Sequence, residues 1–97
     1  MNVRLRQAAF DDLVTIEDSL KPKSPRAEQQ IVDRILDEIE RLDRFPFPGH
    51  SGRIGETREW IVPRLPYIIV HRIDASIDEL HVVGVFHAAQ NRDIQER

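Results

Sequence analysis

The stretch Glu56–Ala89, ETREWIVPRLPYIIVHRIDASIDELHVVGVFHAA, decides the fold. Three runs within it, Thr57–Val62, Tyr67–Ile73 and Leu80–His87, are rich in β-branched and aromatic residues, which suit a pleated, half-buried surface. Short turn-forming segments separate them, Pro63-Arg64-Leu65-Pro66 and then Asp74-Ala75-Ser76-Ile77-Asp78. Links this short join neighbouring strands antiparallel, because a parallel return needs a crossover of a dozen residues or more. The stretch predicts a three-strand meander, and one face of that meander needs a cover.

The N-terminal half supplies it. Asn2–Arg6 alternates, with Val3 and Leu5 separated by Arg4, and reads as a short half-buried strand added to the sheet. From Ala8 the period changes. Ala9, Leu13, Ile16 and Leu20 form one helical stripe with Phe10 at its border, while Asp11, Asp12, Glu17 and Asp18 take the outer side. Lys21-Pro22-Lys23 ends this helix, since the residue before a proline is pushed out of the α region. Ser24-Pro25 opens the next, Ser24 as the cap and Pro25 at the first helical position, where its missing donor costs nothing. Ala27, Ile31, Val32, Ile35, Leu36, Ile39 and Leu42 make a broad apolar stripe through Asp43, and Asp33, Arg34, Asp37, Glu38, Glu40 and Arg41 lie on polar faces. The tight link makes these two helices an antiparallel hairpin packed on one sheet face. Phe45–Gly55, with two prolines and three glycines, is neither helix nor central strand. The expectation is a single α+β domain over residues 1–97, ordered β-α-α-β-β-β. Its four-stranded, mainly antiparallel sheet carries the N-terminal helical hairpin on one face and is partly open on the other.

Composition narrows the function classes. The high charged fraction, 32%, implies a well-solvated surface. Absence of cysteine excludes disulfides and thiolate chemistry and fits a reducing, cytoplasmic location. MNVRLRQAAFDDL has no long apolar run, so neither a signal peptide nor a membrane span is expected. The net charge is −3, opposite in sign to the excess of a dedicated nucleic-acid binder.

Strand alternation sorts the candidate functional residues. Arg58, Trp60 and Val62 share a face opposite Thr57, Glu59 and Ile61; Tyr67, Ile69, His71 and Ile73 oppose Ile68, Val70 and Arg72. In the last run His81, Val83, Val85 and His87 oppose Leu80, Val82, Gly84 and Phe86. Which faces coincide depends on register, which is open at this level. His87, at a strand end, suits a general acid or base near neutral pH, with a hydrogen-bonded structural histidine as the alternative. His81 and His87 are too far apart to chelate one ion, and no HxxxH or HExxH spacing exists, so no metal site is expected. Arg58 and Arg72 suit a phosphate or a carboxylate, or else cross-strand pairs with Glu59 or Glu79. Trp60 and Tyr67 suit stacking on a target, or core packing. There is no phosphate-cradling glycine loop and no nucleophile elbow, so no cofactor is implied.

Taken in order, Gly52-Arg53, Thr57-Arg58-Glu59-Trp60-Ile61-Val62-Pro63, Pro66-Tyr67-Ile68-Ile69-Val70-His71-Arg72 and Val85-Phe86-His87-Ala88-Ala89-Gln90 resemble the RelE/ParE superfamily of bacterial toxins. The resemblance covers nearly the whole chain; at His71 many relatives have Tyr. It implies the toxin half of a type II toxin–antitoxin module, a growth inhibitor held by a cognate antitoxin. Such an antitoxin folds a disordered segment onto the toxin, with a helix on the helical hairpin and a strand at the sheet edge. RelE-like members are ribosome-dependent mRNA endonucleases, and the corresponding catalytic set here is Arg58, His87 and Arg92. ParE-like members inhibit DNA gyrase without cleaving RNA, and Trp60, Tyr67 and Arg72 are the matching target-binding candidates. Several RelE-type nucleases carry Arg where this chain has Ile68. That departure, Trp60 and the acidic balance favour the ParE-like reading over the nuclease. A third reading is a non-toxic module that only binds its antitoxin.

Overall fold

A computed structural model describes residues 2–20, 25–44, 50–51 and 57–89. The elements are β1 (Asn2–Leu5), α1 (Gln7–Leu20), α2 (Pro25–Arg41), β2 (His50–Ser51), β3 (Arg58–Ile61), β4 (Tyr67–Asp74) and β5 (Glu79–His87). They follow the order expected from the sequence, within a residue or two at the ends. The Ser24 cap and Arg92 lie outside the described residues, as does most of the Phe45–Gly55 segment.

The sheet runs β1-β5-β4-β3-β2. The meander β3-β4-β5 is antiparallel, and β1 joins β5 in parallel, Val3 opposite Leu80 and Leu5 opposite Val82. To the four expected strands the structure adds a fifth, β2, whose two residues pair with Glu59 and Arg58 at the sheet edge. An edge ladder of that length tolerates the flanking prolines and glycines that a central strand does not.

The helical hairpin covers one face. Ala9, Leu13 and Ile16 of α1, with Ile35 and Ile39 of α2 and Leu42 just past its end, pack on Val62, Tyr67, Ile69, Leu80, Val82 and Val85. On the opposite face Ile68, Val70 and Phe86 form a smaller cluster with Val83 at its border. Two linkages hold α2 to the meander: Arg34 donates from Nη2 to the Pro63 carbonyl at 2.8 Å, and Trp60 donates from Nε1 to Glu38 Oε2 at 2.8 Å. Glu38, expected on a polar face, is therefore buried, 6% exposed, with Arg41 at 3.5 Å from its second oxygen.

A bulge changes the alternation of β5. Val70 opposes Gly84 while His71 opposes Val82, so Val83 is the extra residue. Leu80, Val82 and Val85 consequently all reach the helix-covered core, and Val83 and Phe86 both join the other face. The simple two-residue period put Val83 and Val85 together; the bulge separates them. Asp12, expected on the outer side of α1, accepts the Val85 N–H at 2.9 Å and ties the helix to the bulge.

Candidate functional site

The register distributes the candidate residues over both faces and both ends of the sheet. Arg58 lies opposite His71, which is fully buried, on the face that carries Trp60 and the helices. His87 ends β5 opposite Tyr67, four positions further along β4. At about 3.3 Å per residue that offset alone is about 13 Å, so Arg58 and His87 are not brought together.

His87 is exposed and stands edge-on to Tyr67, ring centroids 5.5 Å apart at 85°. The Ala89 N–H donates to its Nδ1 at 3.1 Å, which leaves the ring proton of the neutral form on Nε2. Tyr67 itself is buried, and burial pushes its phenol above the usual 10.0 because the phenolate is the poorly solvated form. Trp60 is half-buried and its single donor is committed to Glu38. Of the three target-binding candidates, Arg72 is the exposed one.

Arg72 points to the open face, away from Arg58, because the two belong to opposite alternation sets of paired strands. There it meets residues that the sequence reading did not connect with it. Arg4 of β1 and Arg72 of β4 are both in register with His81 of β5, so the three form a row across the sheet. Glu79 accepts from Arg4 Nε at 3.1 Å and contacts His81 Nε2 at 3.0 Å. Arg6 Nη1 is 3.3 Å from His81 Nδ1. An arginine is always a donor, so Nδ1 accepts and Nε2 carries the proton toward Glu79. Arg6 and Arg72 line one open cavity of about 240 Å³ together with Gln7, Ala8 and Val83. Strand propensity carries no signal of this cluster, since Arg4 and Arg6 reach His81 through the parallel β1–β5 pairing and Arg72 reaches it through the β4–β5 register.

A second concavity, about 450 Å³, runs along α2, lined by Gln30, Ile31, Asp33, Arg34, Asp37 and Leu65. Among the described residues no helix is long and apolar enough to cross a membrane.

Solved structures share this architecture, among them two from toxin–antitoxin systems. The chromosomal ParDE toxin–antitoxin system from P. aeruginosa superposes with a TM-score of 0.80, at 18% identity over 90% of this chain and 95% of that one. The toxin–antitoxin complex RelBE2 from Mycobacterium tuberculosis matches with a TM-score of 0.54, at 20% identity over 89% of this chain and 95% of that one. The likeness to both is one of fold. Residues 3–92 match the family model described as "ParE toxin of type II toxin-antitoxin system, parDE". The sequence is also 34% identical over 71 residues to "Putative toxin Y4kP" of Sinorhizobium fredii, spanning 73% of this chain and 71% of that protein. The chain belongs to the ParE toxin family of type II toxin–antitoxin systems.

Proposed function

We propose that this toxin arrests growth by binding DNA gyrase, without catalysis of its own, and that a cognate antitoxin neutralises it. The observation that carries the reading is the separation of Arg58 from His87. Activating a ribose 2′-hydroxyl and stabilising the cleaved phosphate needs a base and a cation within hydrogen-bond reach of one reacting group. Two residues whose backbone positions are offset by about 13 Å along a strand are poorly placed to share such a group. His87 is engaged by the Ala89 N–H and the Tyr67 ring, and Trp60 by Glu38. An inhibitor that works by binding needs only a shaped surface, and Arg72 offers it an exposed cation.

The antitoxin reading rests on family membership and on two receptive surfaces. The groove along α2 beside Leu65 has the size and mixed lining of a helix-docking channel, and β1 ends the sheet with an edge on which a further strand can add. The toxin acts in the cytoplasm, where gyrase and the antitoxin are met.

The test is ATP-dependent supercoiling by purified gyrase in the presence of the purified toxin. Inhibition that persists in His87→Ala is expected. No inhibition at excess toxin would sink the proposal. Primer extension in a translating extract addresses the mRNA-endonuclease alternative: codon-phased cuts that vanish in His87→Ala would replace gyrase by the ribosome as the target. Undiminished growth on induction without the antitoxin gene would leave only the antitoxin-binding module.

A further inference from the structure

We propose that Arg6 and Arg72 form a binding site for a phosphate group on the open face of the sheet. The site is assembled from three parts of the chain. Arg72 comes from β4, Arg6 from the junction between β1 and α1, and Val83 from the β5 bulge, which turns that residue out to the cavity floor. The Asp12 bond to the Val85 N–H holds α1 against the bulge, so the walls are tied together.

The charges are distributed in a way that leaves these two arginines for a ligand. Glu79 is occupied by Arg4 and His81. His81 Nδ1 lies 3.3 Å from Arg6 Nη1 and orients that guanidinium without neutralising it. Among the described residues neither Arg6 nor Arg72 is in an ion pair with a carboxylate. Asp74, two residues along β4, feels the Arg72 charge, but its oxygen is held by the Ser76 N–H and hydroxyl. The first turn of α1, which contributes Gln7 and Ala8 to the lining, holds no acidic residue.

The number of forks selects the ligand. A planar carboxylate carries one negative charge, which one guanidinium in a bidentate fork balances. Two guanidiniums lining one cavity from different elements match a group with more than one negative charge and oxygens in more than one plane, which a tetrahedral phosphate has. A cavity of about 240 Å³ admits such a group with an ester substituent. Because the whole chain carries −3, the grip is confined to one or two phosphates and is weak and salt-sensitive. Free phosphate and the backbone of a nucleic-acid strand share this chemistry. The site does not depend on gyrase being the target.

The experiment is NMR titration of the full chain, following the arginine Nε–H signals, with inorganic phosphate, a single-stranded DNA 12-mer and a poly-glutamate peptide as separate probes. Saturable shifts at Arg6 and Arg72 with phosphate or with the oligonucleotide are expected, and which of the two binds more tightly identifies the source. Arg6→Gln/Arg72→Gln should weaken binding at least about tenfold, the order of one lost charge-assisted contact. For the oligonucleotide it should flatten the log–log salt dependence by about 1.4, two contacts at about 0.7 each. Arg64→Gln, which removes one positive charge from the β3–β4 turn, should change neither quantity. Absence of shifts, retention of affinity and salt slope in the double variant, or binding of poly-glutamate alone each overturns the proposal.

Discussion

Replacing Trp60 by Phe tests how the helical hairpin is held to the sheet. In the wild type Glu38 is 6% exposed; it accepts the indole N–H at 2.8 Å and has Arg41 at 3.5 Å. Phe keeps a ring in the core and removes the donor, leaving a buried carboxylate with the longer Arg41 contact alone. A hydrogen bond to a charged group contributes about 1.5–3 kcal/mol net, and the lost partner leaves part of the carboxylate desolvated. The expected cost is about 2–3 kcal/mol, a fall in melting temperature on the order of 10 °C or more for a domain of this size. Urea unfolding followed by far-ultraviolet circular dichroism is the assay, because Trp60 is the single tryptophan and its fluorescence disappears with it. Glu38→Leu alone removes the acceptor and is also destabilising, but Trp60→Phe/Glu38→Leu replaces both partners by apolar groups, which can be nearly neutral. The double variant should therefore recover about 1–2 kcal/mol relative to the sum of the singles. Additivity within about 0.5 kcal/mol would refute the reasoning, since it would mean that the two side chains are not energetically coupled.

Gly84→Ala brings a Cβ to 2.6 Å from Phe86 Cε2 and 2.9 Å from Cζ, and Phe86 is buried, so thermal unfolding should show a loss of about 1–3 kcal/mol that Phe86→Leu partly restores. The Asp74 carboxyl should titrate below its ordinary 3.8, first because the Ser76 hydroxyl donates to it, and Ser76→Ala should move the carboxyl-carbon NMR midpoint upward. A depressed acid contributes stability above its unfolded pKa and loses it as pH falls through the folded value; any stability difference between wild type and Ser76→Ala should therefore vanish in acid.

Much of the scaffold was legible from local pattern. Leu13 and Ile16 announce the buried side of α1 at helical spacing, Ile35, Ile39 and Leu42 that of α2, and the turn residues between β3, β4 and β5 announce antiparallel neighbours. The departures have particular causes. Glu38 has the chemistry of a solvated residue and is buried because Trp60, on a strand far away in sequence, presents a donor to it. Asp12 sits among acidic outer-face residues yet turns inward to accept the Val85 N–H of the strand beneath it. Neither partner can be read from periodicity, which reports only the average environment of a position. The candidate site was less legible still. Arg58 and Arg72 looked alike in sequence, and the strand pairing sends them to opposite faces.

The sequence by itself determined the class of fold, the order of its elements and the family, because hydrophobic period, turn chemistry and short linear motifs are local properties. Tertiary structure alone decided which charges act together. Arg4, Arg6, Arg72 and His81 meet because β1 returns in parallel beside the last strand and a single extra residue bends that strand. Long-range pairing and a one-residue bulge leave no trace in propensity, yet each moves side chains by a whole strand width or from one face to the other.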